Sequence, residues 1–213
     1  MKNIVEIVDL SKSFKNQIVL NKISKSFEQG KIHGIMGFNG SGKTVMFKCI
    51  CGFLKHDTGH ILVQGKEIGK EVDFPESLGM IIENPGFLPH ISGYANLKRL
   101  ADLRKRIGKD DILEAMRRVG LDPFSKKKVG QYSLGMRERL GIAQAIMEDP
   151  ELLILDEPFN GLDKRGAEQM YELFDELREK GKTIIIAAHN MLEIEWLCDS
   201  ICEMDAGRLT RIK

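Results

Sequence analysis

Three short runs carry residue types that can do chemistry together. Gly37-Phe38-Asn39-Gly40-Ser41-Gly42-Lys43-Thr44 satisfies the pattern G-x-x-x-x-G-K-[ST] at every fixed position. Glycines in such a loop let backbone N–H groups converge on phosphate oxygens, and the positive end of a following helix adds to the attraction. Lys43 would reach the β- and γ-phosphates, and the Thr44 hydroxyl is a hard oxygen ligand suited to Mg²⁺. Asp156 and Glu157 follow the apolar run Leu152 to Leu155. Adjacent carboxylates at a buried strand end are costly without a cation or proton. Magnesium–ATP would account for Asp156 and leave Glu157 to polarise the attacking water or accept its proton. A structural acidic pair is the plainer alternative. His189 closes a second apolar run, Thr183 to Ala187. A lone histidine is more often structural, but at a strand end beside such a loop it can hydrogen-bond a γ-phosphate. The chemistry these runs share is hydrolysis of a nucleoside triphosphate.

These residues need a scaffold, and the pattern of the chain suggests one. Short apolar runs alternate with helix-length amphipathic stretches, which predicts an α/β fold with a mixed, largely parallel core sheet. Lys31 to Met36 reads as the strand before the glycine loop and Thr44 to Phe53 as the helix after it. Leu152 to Leu155 and Thr183 to Ala187 read as strands buried on both faces. Ile4 to Val8 alternates like an antiparallel edge strand. From about Asn96 to Glu148 the periodicity is helical, with Asp110 to Val119 stopped by Gly120-Leu121-Asp122-Pro123. We therefore expect a single domain over 1–213, with a core of about 1–95 and 149–213 and a helical insertion of about 96–148. No internal repeat, low-complexity tract or long linker is evident.

Composition narrows the setting. The 213 residues are 42% hydrophobic and 30% charged, with a formal net charge of +1. This is the profile of an ordinary globular chain and gives no support for a nucleic-acid surface. No run approaches the roughly 18–20 apolar residues of a membrane span, and no signal-peptide core opens the chain, so a cytoplasmic protein is expected. Any membrane association would come through a partner. The end at Lys213, soon after an Asp205 to Leu209 turn, suggests that no regulatory domain follows. Cys49, Cys51, Cys198 and Cys202 lack zinc-site spacing and read as buried thiols rather than a disulfide or metal site. Lys126-Lys127-Lys128 reads as a solvated loop, and Trp196, on an amphipathic Met191 to Leu197 helix, as a packing residue.

Tyr132-Ser133-Leu134-Gly135-Met136 adds a further element. Ser133 is a good N-cap for a helix carrying Leu140, Ala143, Ile146 and Met147 at helical spacing. Ser133 and Gly135 would stand at a positive helix end that wants an anion, and the glycine loop already serves this chain's own phosphate. A second subunit's γ-phosphate would fit; an ordinary capped helix is the alternative.

Nearly the whole chain resembles the nucleotide-binding ATPase of ATP-binding-cassette (ABC) transporters. Gly37–Thr44, Leu155-Asp156-Glu157-Pro158, Gly161-Leu162-Asp163 and His189 correspond to that family's Walker A, Walker B, D-loop and switch histidine. Tyr132 to Met136 stands where the family has Leu-Ser-Gly-Gly-Gln. The resemblance implies ATP and Mg²⁺ as ligands, with Phe14 stacking on adenine and Val45 beside the loop contributing to the nucleotide set; from the residues alone, Phe14 could equally be core. It also implies a head-to-tail pair of chains, each ATP lying between one glycine loop and the partner's signature, and integral membrane permease subunits that hold the ATPase at the inner face of the membrane.

Two departures stand out. Leu134 and Met136 replace Gly and Gln in the signature, while Ser133 and Gly135 remain. Glu83, in Ile81-Ile82-Glu83-Asn84-Pro85, replaces the family's usual Gln, keeping an oxygen that can reach Mg²⁺ but adding a charge beside Asp156 and Glu157. Two unit charges about 4 Å apart interact by roughly 4 kcal/mol at an effective dielectric of 20, which Mg²⁺ would offset. Together these features resemble the branch that exports bacitracin-like and lantibiotic peptides. The rivals are a soluble cassette ATPase, a kinase on the same phosphate loop, and a nucleotide-gated module that does not hydrolyse. The absence of coiled-coil insertions or a second cassette, the signature helix with the Asp156-Glu157 pair, and the presence of Glu157 with His189 argue against each in turn.

Overall fold

The chain begins with two long strands, β1 (Asn3–Phe14) and β2 (Gln17–Glu28), then β3 (Ile32–Met36) and helix α1 (Lys43–Ile50). Strands β4 (Thr58–Val63), β5 (Lys66–Glu67) and β6 (Leu78–Ile81) follow, then helices α2 (Gly93–Arg104), α3 (Lys109–Arg118) and α4 (Leu134–Ile146). The last part is β7 (Leu152–Asp156), α5 (Lys164–Glu179), β8 (Thr183–Ala188), the short α6 (Met191–Ile194), β9 (Ser200–Asp205) and β10 (Arg208–Arg211). This computed structural model describes residues 2–15, 17–83 and 85–213. Asn84, in the loop that carries Glu83, lies outside the described residues.

Two sheets form. One has six strands in the order β10-β9-β3-β8-β7-β6, the other four in the order β2-β1-β4-β5. In the first, every neighbouring pair from β9 to β6 is parallel and only β10 runs antiparallel, which is the mixed, largely parallel core anticipated from the sequence. The second sheet is antiparallel throughout. The run Ile4 to Val8 is not an edge strand: β1 is twice as long as expected and lies between β2 and β4. Its alternation reflects one face packed inward and one exposed, a pattern an interior antiparallel strand shows as readily as an edge.

The continuous apolar runs arise because the six-stranded sheet is covered on both faces. Along β7, Leu152 and Ile154 join the core shared with α1 and the four-stranded sheet, while Leu153 and Leu155 join the core shared with the helices. Strand β8 splits the same way, with Ile185 and Ala187 on one side and Ile184 and Ile186 on the other. Helix α4 crosses β6 so closely that a Cβ on Gly79 would lie 1.9 Å from the Ala145 carbonyl oxygen, so glycine is required there. That contact seats the signature helix directly on the sheet edge.

Helix α1 is shorter than expected, ending at Ile50 before Gly52, whose φ of +82° turns the chain away. Helix α2 starts earlier, at Gly93, with the Ser92 hydroxyl accepting from Ala95 N. The Met191 to Leu197 helix shrinks to the four residues of α6, and Trp196, 63% exposed, packs through a T-shaped ring contact with Tyr171. All four cysteines are free and buried, and burial pushes the Cys49 thiol up to about 11 and the Cys51 and Cys198 thiols up to about 12. Among the described residues no group of His, Cys, Asp and Glu forms a ready metal cluster, and no helix is long and apolar enough to cross a membrane.

Candidate functional site

The glycine loop runs from the end of β3 into α1. A Cβ on Gly37 would meet the Met204 carbonyl oxygen at 2.4 Å, and Gly42 adopts φ +113°, so neither position admits a side chain cheaply. Gly42 caps α1 without any side-chain hydrogen bond, and no acidic residue occupies the first helical turn. The helix therefore begins with free N–H groups and an unneutralised dipole, the arrangement that binds phosphate. The buried Ser41 Oγ has no hydrogen-bond partner, an orphaned donor inside the cradle. Lys43, 5% exposed, is bent back over the loop, its Nζ donating to Gly37 O at 2.6 Å and Phe38 O at 3.2 Å. Those features fit a polyphosphate, whose oxygens would take the place of the loop's own carbonyls as acceptors.

Strands β3, β7 and β8 are parallel neighbours, so their C-terminal ends deliver Gly37, Asp156, Glu157 and His189 to one edge of the sheet. Thr44 Oγ1 donates to Asp156 Oδ2 at 2.5 Å. Glu157 Oε1 lies 4.0 Å from Lys43 Nζ, and its Oε2 lies 3.6 Å from His189 Nδ1. Burial, above all, pushes the Asp156 carboxyl up; the Glu157 and Glu83 charges push the same way, while the Thr44 hydrogen bond and Lys43 pull it back. An acidic, partly desolvated set of four carboxylates with Lys43 and Lys48 at its edges is short of positive charge. A divalent cation with a preference for hard oxygen fits that deficit, with Thr44 and Asp156 to hold it. Glu157 and Glu83 both adopt left-handed backbone, φ +53° and +60°, and such conformations in non-glycine residues cluster where a site holds side chains in strained positions.

Two cavities meet at Thr44 and Glu157. One, of about 300 Å³, is lined by Thr44, Glu83, Glu138, Asp156, Glu157 and Asn160. The other, of about 410 Å³, is lined by Phe14, Val19, Asn39, Gly40, Gly42, Lys43, Thr44, Val45 and Glu157. Phe14 is 45% exposed beside the glycine loop, with Lys12 Nζ 5.4 Å from its ring centroid, so it is not a core residue. Phe38 is 83% exposed on the loop. Glu83 stands at the cavity edge, where Lys48 Nζ of α1 grips its Oε1 at 2.6 Å.

Ser133 and Gly135 line neither cavity. Ser133 caps α4 by accepting from Met136 N at 3.2 Å. Leu134 packs onto the loop before α5: a Cβ on Gly161 would fall 2.4 Å from Leu134 Cδ2. Glycine at 161 thus makes room for the larger signature residue. The structure brings the glycine loop, Asp156, Glu157, Glu83, His189 and Phe14 together and leaves the signature pair apart.

The sequence reading missed Lys48, Glu138 and Asn160. Glu138, on α4, is only 7% exposed and lines the smaller cavity. Burial pushes its carboxyl up, with Arg137 pulling weakly the other way. In the run Met136-Arg137-Glu138-Arg139 it looks like one more charge on a solvated helical face.

Comparison with known proteins agrees with this geometry. Residues 20–160 match the family described as ABC transporter. The ABC transporter ATP-binding protein YybJ of Bacillus subtilis is 42% identical, over 96% of this chain and 94% of its own length. The bacitracin transport ATP-binding protein BcrA of Enterococcus faecalis is 40% identical, over 98% of this chain and 68% of its own length. The lantibiotic transport ATP-binding protein SrtF of Streptococcus pyogenes is 35% identical, over 96% and 88%. Among solved structures, cbiO1 from Clostridium perfringens, part of the cbiONQ transporter complex, aligns with a TM-score of 0.81 at 27% identity, over 98% of this chain and 87% of that one. A dimeric ATP-binding cassette in a post-hydrolysis state with ADP and Pi shares the fold, with a TM-score of 0.88 at 21% identity over 98% of both chains. The phosphate cradle, the carboxylates at the strand ends and this kinship lead to one conclusion: the chain belongs to the ABC transporter family, as an ATP-binding, ATP-hydrolysing cassette subunit.

Proposed function

We propose that two copies of this chain pair head to tail around two ATP molecules and drive integral membrane permease subunits from the inner face of the membrane. The observation that carries this reading is the division of the site. Glu157, flanked by Lys43 and His189, sits at the phosphate cradle, while Ser133 and Gly135 stand at a helix N-terminus outside both cavities. One chain supplies a cradle and, elsewhere, the lid for another chain's cradle. Closed two-fold pairing satisfies both at once.

In this scheme Phe14 stacks on the adenine and the Gly37–Val45 backbone holds the phosphates. Thr44 and Asp156 would hold Mg²⁺, with Glu83 able to add an oxygen to the set. The cation would shield the phosphate oxygens and steady the charge that develops on them. Glu157 accepts the proton of the attacking water, and His189 holds the γ-phosphate and orients Glu157. The partner's Ser133 hydroxyl and the start of its α4 cover the γ-phosphate. The span from Gly93 to Ile146 acts as a helical subdomain within a single cassette, carrying the signature on a sheet-bound lever. The likeness to bacitracin and lantibiotic transport proteins supports export of a drug or antimicrobial peptide as the work done.

The direct test is the mass of Glu157→Gln in solution with ATP and Mg²⁺. A dimer that forms with ATP, and fails to form when Ser133→Arg is added, is the expected result. A monomer under saturating ATP would overturn the head-to-tail arrangement. Recovery of a multi-helix membrane protein with the tagged chain from detergent extracts tests the permease partner.

A further inference from the structure

The phosphate cradle carries one large side chain outside the nucleotide's reach. Phe38 is the most exposed of the large apolar residues among those described, at 83%. Its backbone is held in place, with Phe38 O accepting from Ser41 N at 3.1 Å and from Lys43 Nζ at 3.2 Å. Its side chain lines neither cavity of the site. Two residues on, a Cβ on Gly40 would meet nothing within 4 Å, so the crest of the loop is open. Phosphate binding by G-x-x-x-x-G-K-[ST] makes no demand on the side chain at position 38. The signature has a counterpart. Leu134 is 45% exposed and also lines neither cavity. Part of its side chain is seated over Gly161, whose missing Cβ leaves the room, so it stands as a fixed apolar knob between Ser133 and Gly135. A lone apolar residue on a surface is ordinary. These two stand on the two surfaces that head-to-tail pairing brings together. When the partner's Ser133 and Gly135 cover the γ-phosphate, the residue between them is carried to the lip of the loop where Phe38 stands.

We propose that Phe38 of one chain packs against the partner's Leu134, an apolar contact made twice across the two-fold pair. This rests on the head-to-tail arrangement proposed above and names what covers the exposed crest of the loop: a second copy of this chain. The γ-phosphate supplies the charged part of the joint, and this contact supplies a part that does not depend on charge. It also favours like chains, because a cassette with a small residue at either position would leave the other one uncovered.

The test uses the full chain carrying Glu157→Gln, at saturating ATP and Mg²⁺, and reads the dimer dissociation constant by sedimentation. Phe38→Ser and Leu134→Ala should each raise it at least about tenfold, the scale of the apolar area lost from two symmetric contacts. Made together they should cost little more than either alone, because the second change strips a surface whose counterpart has already gone. Losses that multiply in the double variant, or dimers as tight as the parent in either single variant, would overturn the proposal. Leu134→Ala also gives up packing over Gly161, so a second measurement reads proximity alone. A mixture of Phe38→Cys and Leu134→Cys chains, treated with a short thiol cross-linker, should yield covalent dimers only when ATP is present, and neither chain should do so by itself. No cross-link in the mixture, or one that forms without ATP, would equally overturn the contact. A Glu157→Gln parent that stays monomeric under saturating ATP would instead remove the head-to-tail pairing, and the contact with it.

Discussion

Helices α1 and α4 both start at a glycine-containing motif and both present a positive terminus, yet they are finished differently. Helix α1 opens on Gly42 with no side-chain cap and no acidic first turn. Helix α4 opens on Ser133, whose hydroxyl already satisfies Met136 N. The first end is left incomplete and lies inside a cavity with Lys43 and Phe14. The second has one of its N–H groups satisfied within the chain and lies outside both cavities. An uncapped terminus needs its ligand; a capped one only tolerates it. Under the proposed pairing, this difference would separate a nucleotide-holding end, at work in the monomer, from a nucleotide-covering end that acts when a second chain brings the phosphate.

The most severe way to sharpen that contrast is Glu157→Gln. Turnover should fall at least about a hundredfold, the scale of a lost general base, while the ATP-dependent dimer persists because both helix ends remain. Near-normal phosphate release in a steady-state assay would refute the role of Glu157. Next is Lys43→Ala, which should weaken ATP binding to the monomer by about ten- to a hundredfold, as expected for losing charge-assisted hydrogen bonds worth roughly 1.5–3 kcal/mol. Fluorescence titration gives the value, and an unchanged Kd would mean that Lys43 serves the loop's own carbonyls and not the phosphates.

Ser133→Ala should act oppositely. Monomer affinity for ATP stays as in the wild type, dimer yield falls, and the lost cap costs about 1 kcal/mol, or roughly 2–4 °C in Tm. If it weakened monomer binding as much as Lys43→Ala does, the two helix ends would have one job and the distinction would collapse. The smallest effect is expected from Glu83→Gln. With its charge removed, nucleotide binding should need Mg²⁺ less, but the Lys48 partner at 2.6 Å already offsets that charge. An exposed pair of this kind is worth about 0–1 kcal/mol, so the Mg²⁺ half-saturation should shift by less than about fivefold. Identical half-saturation concentrations would remove Glu83 from the cation's surroundings.

The contrast between motif and packing also explains what the sequence could reveal. The glycine loop, Asp156-Glu157 and His189 are local signals bound to strand ends, and the runs Leu152–Leu155 and Thr183–Ala187 betray a sheet covered on both faces. The longer antiparallel strands were harder to read. Pairing of β1 with β2 is interrupted by repeated register shifts, so the alternation breaks before its true length shows. Lys48 and Glu138 were not legible because their importance comes from what lies opposite. One charge on α1 meets Glu83 across the fold, and one charge among arginines on α4 is carried under the cavity by the seat of Ala145 on Gly79. Nothing in their own neighbourhood of sequence marks either as different from a solvated side chain.

The four cysteines carry a practical consequence. All are buried, three have thiols held at about 11 or 12, and none is joined to another. Thiolate is the reactive form, so burial, reinforced at Cys49, Cys51 and Cys198 by raised thiols, disfavours alkylation of the native chain. Slow maleimide labelling of the folded protein relative to the unfolded one is the expected outcome. A single cysteine introduced at exposed Phe124, away from the signature and both cavities, would carry a label without deletion of the natural ones, and distances across an assembled pair could be read from it.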